Sequence, residues 1–312
     1  MKIYIAFLSV FFILISSCSV DYDFNGTKSN EPELIIINGL LRSSEPIRVK
    51  LHKLERTGGK YTYKGLQGAK VILKEDRTIL YDGVCNDSIV TLDYHPKVNA
   101  NYSIEVSYDN LETAKAFTRV PPPITCTYRM DAIYDEVYKY DISYVVTVKP
   151  LKIPPVPEIA LWVTAYRFFE GGQEIQYNEL YANNVLIDKR NSVAGAEAKN
   201  NIVGSIYYNG FLRIKNKNLP LVDEIKFTPN FVYVEDYTNP KANQTGIKLM
   251  LITASPEYDQ FQKTLYDQKS MIIYEDDFSS IFYQPKTVYT NIENGLGIFA
   301  AINESSQLID LP

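Results

Sequence analysis

From Leu34 onward the chain alternates apolar and polar side chains with a period of two. Ile47, Val49 and Leu51 interleave with Arg48, Lys50 and His52, the pattern of a strand with one buried and one wet face. The alternation recurs at Ala69, Val71 and Leu73, through Ile89 to Tyr94, and at Ile104, Val106 and Tyr108. Leu34-Ile35-Ile36-Ile37 is a buried-strand run closed by Asn38-Gly39. Gly58-Gly59, Gly65, Gly68, Asp82-Gly83 and Asp109-Asn110 punctuate these runs as turns. About seven short strands over residues 34–120 predict a β-sandwich of immunoglobulin or prealbumin type. It ends at the linker Val120-Pro121-Pro122-Pro123.

Residues 124–303 predict a second, larger β-rich domain. Long alternating runs occupy Val137 to Val148, Ile159 to Phe169 and Ile225 to Val234, with a further strand at Ile247 to Thr253. Pro150 to Pro157 reads as an exposed loop, because proline cannot feed a ladder. One short helix is expected after Ser255, which can cap it. Pro256 suits the first turn, Glu257 and Asp259 favour the positive end, and Tyr258, Phe261 and Leu265 form an apolar stripe that packs on a sheet. The fold class expected is therefore all-β.

The N-terminus has a different grammar. Lys2 precedes an apolar run from Ile3 to Ile15, and Ser16-Ser17 lead into Cys18, the layout of a secretory signal peptide over residues 1–17. The run is shorter than the roughly 20 residues a membrane-crossing helix needs. Ile15-Ser16-Ser17-Cys18 resembles the bacterial lipoprotein box, whose cysteine is lipidated and becomes the first mature residue. Such proteins carry more than one acyl chain, enough for a stable anchor. Residues 18–33 read as a polar tether, and Asp21 and Asp23 resemble a surface-export signal.

Cleavage before Cys18 removes Lys2 and takes the net charge from -5 to -6. Mild acidity without a basic block argues against nucleic acid as a partner. Arg213 to Lys217 reads as the solvated face of a strand. Tyrosine is abundant, 25 residues against 14 Phe and one Trp; dispersed tyrosines suit half-buried sheet surfaces, and an aromatic ligand platform is the sharper alternative. Export permits a disulfide between Cys85 and Cys126, though buried free thiols fit equally.

The candidate chemistry is thin. Gly295-Leu296-Gly297-Ile298-Phe299-Ala300 matches a dinucleotide-binding pattern on paper, but no helix or acidic partner can follow in the 12 residues that remain. Its glycines fit a terminal strand that bends or packs closely. His52 belongs to a wet strand face and His95 to a turn before Pro96. Glu275-Asp276-Asp277 and Glu235-Asp236 lack calcium-loop spacing and read as acidic turns. No catalytic residue, cofactor or metal ligand is assigned.

A family resemblance rests on several short stretches in order. Glu33 to Arg42 (ELIIINGLLR), Gln67 to Leu73, Asn101 to Val106, Pro121-Pro122-Pro123, Ser255-Pro256-Glu257-Tyr258, Asp277-Phe278 and Asn291 to Phe299 resemble a Bacteroidota lipoprotein family, the domain of unknown function 4249. Residues 150–202 depart from that pattern. The resemblance implies an outer-membrane lipoprotein, exposed on the cell surface or facing the periplasm, without assigned activity and often encoded beside a TonB-dependent receptor. The function expected is a non-enzymatic binding or accessory component of such an uptake system. The rival is a structural or adhesive envelope protein that binds glycans or other surface ligands.

Overall fold

The computed structural model describes residues 33–57, 60–134, 142–152, 159–177, 179–182, 210–215, 224–230, 244–272 and 287–311. The N-terminal part holds β1 (Leu34–Arg42), β2 (Ile47–Thr57), β3 (Lys60–Gly65), β4 (Ala69–Glu75), β5 (Thr78–Cys85), β6 (Ile89–Leu92), β7 (Asn101–Ser107) and β8 (Ala114–Arg119). Next come β9 (Thr125–Tyr134), β10 (Ile142–Lys152), β11 (Ala160–Phe169), β12 (Glu174–Gln176), β13 (Glu179–Ala182), β14 (Phe211–Lys215), β15 (Ile225–Asn230) and β16 (Gln244–Ala254). The helix α1 (Pro256–Ile272) and β17 (Gly295–Asp310) complete the described elements. The fold is all-β, with sheets stacked as sandwiches.

Three sheets organise the described residues. A nine-stranded sheet runs β12-β11-β16-β17-β1-β2-β3, with β14 also on β11 and β6 also on β2. The two four-stranded sheets are β5-β4-β7-β8 and β13-β15-β10-β9. Alternation decides which face of β4, β7 and β8 is buried. In β4 and β8 every second residue is buried, and in β7 Tyr102, Ile104 and Val106 point inward. They meet Ile35, Ile37 and Leu41 of β1 and Val49 and Leu51 of β2 in one apolar core. Strands of residues 34–120 supply most of this core, and Phe299 and Ala301 of β17 complete it.

A second core lies between the other end of the large sheet and the β13-β15-β10-β9 sheet. Leu161 and Val163 of β11 and Leu249 and Leu251 of β16 join Val146, Val148, Ile225 and Phe227. β11 opens with six successive buried residues because both its faces are covered there. The two cores part at residues 120–124, yet β17 serves both, through Phe299 and Ala301 on one side and Ile302 on the other. The linker is tied down as well: Asn303 Nδ2 donates to the Pro121 carbonyl at 3.2 Å.

β17 pairs with β16 antiparallel and with β1 parallel, matching Ile35 with Gly295, Ile37 with Gly297 and Gly39 with Phe299. The glycine pattern of residues 295–300 is therefore a strand-packing feature. A Cβ on Gly297 would lie 2.2 Å from the Ile37 carbonyl oxygen, and its φ of +99° disfavours any other residue. A Cβ on Gly295 would lie 2.6 Å from the Ile35 oxygen.

Several local expectations change. Asp82-Gly83 is not a turn; both lie inside β5, where the absent Gly83 side chain makes room for the Tyr81 ring. The reversal before β5 comes at Asp76, with φ of 50°. Pro150 is still within β10, opposite Cys126, where the register shifts. A shift of this kind is one of the few ways a strand accommodates proline.

Candidate ligand cleft

α1 begins as its sequence dictates and packs differently. The Tyr258 amide donates to Ser255 Oγ at 3.4 Å, so Ser255 caps the helix with Pro256 in its first turn. Ser255 is buried, and its hydroxyl also accepts from the Ala301 amide at 3.2 Å. Thr118 of β8 donates to Glu257 at 2.9 Å. The cap thus fixes α1 against both β17 and β8. The inward stripe is Tyr258, Gln262 and Tyr266, spaced four apart, rather than Tyr258, Phe261 and Leu265. These three close over Trp162, Phe211 and Ile252 around a cavity of about 10 Å³, water-sized. Trp162 and Tyr266 stack with centroids 6.3 Å apart, and Phe211 meets Trp162 edge-on at 6.0 Å.

Asp259 does more than favour the helix dipole. It is buried, and its Oδ1 accepts from Arg213 Nε at 2.6 Å and from Trp162 Nε1 at 2.9 Å, while Arg213 Nη2 donates to Oδ2. Arg213 and Trp162 are directly paired neighbours on β14 and β11, so both reach the same carboxylate from one face of the sheet. This corrects the reading of Arg213 as a solvated residue: it is 5% exposed. Alternation in β14 buries Leu212 and Ile214 on the opposite face, and α1 covers the face on which Arg213 stands. A sequence cannot reveal that second cover. The residue pattern of an exposed strand and of one roofed by a polar-edged helix is the same.

Beside this ion pair opens a cleft of about 420 Å³ lined by Arg213, Asp259, Gln260, Lys263, Thr264 and Tyr289. Gln260, Lys263 and Thr264 share one edge of α1 through their three- and four-residue spacing. Thr264 Oγ accepts from the Tyr289 amide at 2.9 Å and so fixes the opposite wall. Burial, and then Glu257, raises the Tyr289 phenol above its ordinary range. No sequence motif announced this site, because its residues come from β14, α1 and the segment before β17.

A second polar cluster ties the N-terminal sandwich. Buried Glu75 accepts from the Tyr94 and Tyr102 hydroxyls, each at 2.5 Å, and from Lys97 Nζ at 2.6 Å. Burial works against its charged form, but the Lys97 and two tyrosine hydrogen bonds outweigh it and hold the carboxyl below its usual range.

The residues singled out from sequence scatter. His52 is half-buried on β2 opposite Ile36, and His95 is exposed. Cys85 is buried in the N-terminal core and Cys126 packs at the edge of the other. Both are free thiols, one in each core. Cys18, Asp21, Asp23, Glu235-Asp236 and Glu275-Asp276-Asp277 lie outside the described residues. Among the described residues no helix is long and apolar enough to cross a membrane.

No curated protein matches the chain. Among solved structures, the collagen binding domain of Erysipelothrix rhusiopathiae surface protein RspB is similar at 11% identity, covering 87% of this chain and 97% of that one. Its TM-score is 0.17, too low for the likeness to bear on fold or function. The decisive similarity is to the family described as a domain of unknown function, DUF4249, which matches residues 20–308. With nearly the whole sandwich assembly inside that match, the chain belongs to the DUF4249 family.

Proposed function

We propose that the mature protein is a lipid-anchored, surface-exposed outer-membrane protein that captures or presents a ligand for a TonB-dependent uptake system, without catalysing a reaction. The lipoprotein-like Ile15-Ser16-Ser17-Cys18 sequence supports the anchor, and the family match begins at residue 20, just behind that cysteine. One geometric relationship carries the binding role. The anchor segment enters β1 beside Gly295, whereas Arg213 in the cleft floor pairs with Trp162, at the level of Ile252 and Glu304. At about 3.3 Å per residue, the strand between those levels of β17 spans ~30 Å. A tether at one end and a preformed polar cleft at the other suit presentation away from the membrane.

Affinity capture of the full-length protein from detergent-solubilised membranes tests this. Co-recovery of a large β-barrel receptor is expected. Its absence under every growth condition, with the protein abundant, would overturn the uptake role and leave adhesion as the better account.

A further inference from the structure

We propose that the cleft beside α1 binds a saccharide that carries a carboxylate. This deepens the binding role above and rests on it for the cleft being a ligand site. In the floor, Arg213 and Asp259 hold each other and Trp162 donates to the same carboxylate. Lys263 stands on the wall with no ion pair among the described residues, so its ammonium faces the cleft as a donor for an anionic group. The Gln260 amide and Tyr289 hydroxyl likewise have no side-chain hydrogen bond among the described residues.

These three groups define a ligand by what they lack. An ammonium offers donors only, whereas an amide and a phenol each offer donor and acceptor together. Ring hydroxyls also donate and accept, so they satisfy Gln260 and Tyr289, and a carboxylate satisfies Lys263 with a charge-assisted bond. The volume of about 420 Å³ lies in the range of small-molecule sites. An acidic peptide fits less well. One common mode for extended peptides is pairing with a free strand edge, but this wall is helical and the Tyr289 amide is already committed to Thr264. Because the ion-paired floor is fixed in advance, little ordering cost opposes binding.

Isothermal titration of the full chain in detergent micelles tests the assignment with digalacturonic acid, neutral galactobiose and a hexaglutamate peptide. Digalacturonic acid is expected to bind, galactobiose to bind more weakly, and hexaglutamate not at all. Lys263→Ala should weaken digalacturonic acid by at least roughly tenfold, the loss of one hydrogen bond to a charged group, and leave galactobiose unchanged; Lys263→Arg should restore it. No affinity for digalacturonic acid, affinity indifferent to Lys263→Ala, or preference for hexaglutamate would overturn the proposal. A co-purifying receptor without uronate affinity would sink the saccharide assignment alone. Uronate affinity without a receptor would sink the transporter role alone.

Discussion

The ring of Phe299 occupies the space a side chain on Gly39 would need. Its Cδ2 lies 2.8 Å from the ideal Cβ position, and the two residues are partners in the parallel β1–β17 pair. Phe299 is fully buried, so the ring fills the N-terminal core through the gap left by the glycine. The first and last described strands are locked together at this point.

Gly39→Ala should therefore overpack the core and cost about 1–3 kcal/mol in urea unfolding. Phe299→Leu combined with it should cost less than the two changes added, because the smaller side chain vacates the contested space. Strict additivity would mean that the two positions do not share that space.

Asp259 anchors two buried donors, and Asp259→Ala removes the acceptor they share. The cost expected is about 3–5 kcal/mol, the usual result of removing one partner of a buried ion pair. The double change Arg213→Met, Asp259→Leu should recover most of it, since no buried charge remains. Denaturant midpoints of the two variants, measured side by side, check this.

Glu75 ionises more readily folded than unfolded, so it contributes stability above its unfolded pKa of about 4.3. That contribution is lost as pH falls through the lower folded value. Denaturant midpoints should hold from neutral pH down to about pH 5 and fall in more acid solution. Glu75→Gln should be less stable at neutral pH and show a flatter acid limb.

Burial pushes the Cys126 thiol up to about 11 and raises Cys85 in the same direction. Thiolate is the reactive form, so both should resist iodoacetamide in the native protein at neutral pH. Unfolding in guanidinium should expose both, and reduction should not be needed first. A mass showing no labelling until reductant is added would mean the two are bridged.

Cys18→Ala should abolish lipidation and shift the protein from the membrane to the soluble fraction. Retention on membranes after an alkaline wash would contradict the anchor. Protease treatment of intact cells carrying the unaltered protein should remove it if it faces outward.

Much of the sandwich was legible along the chain. Ile47, Val49 and Leu51 alternate with polar neighbours and are indeed buried, as are Ala69, Val71 and Leu73. Ser255 and Pro256 marked the helix start to the residue. The short strands β12 and β13 were not legible, because three or four residues carry too little periodicity to show. Nor did periodicity announce the partner of β1: parallel pairing joins residues some 260 positions apart, and alternation says nothing about which strand lies alongside.

The amino-acid order alone determined the local matters: strand periods, the helix cap, the family membership it encodes, and the lipoprotein-like start. Those depend on nearest neighbours along the chain, where backbone geometry fixes which side chains share a face. Tertiary structure alone decided that Arg213 is buried, that Asp259 receives two donors, and that Lys263 and Tyr289 face one cleft. Burial and charge pairing depend on what covers a face, and the covering element is brought there by sheet topology from distant sequence.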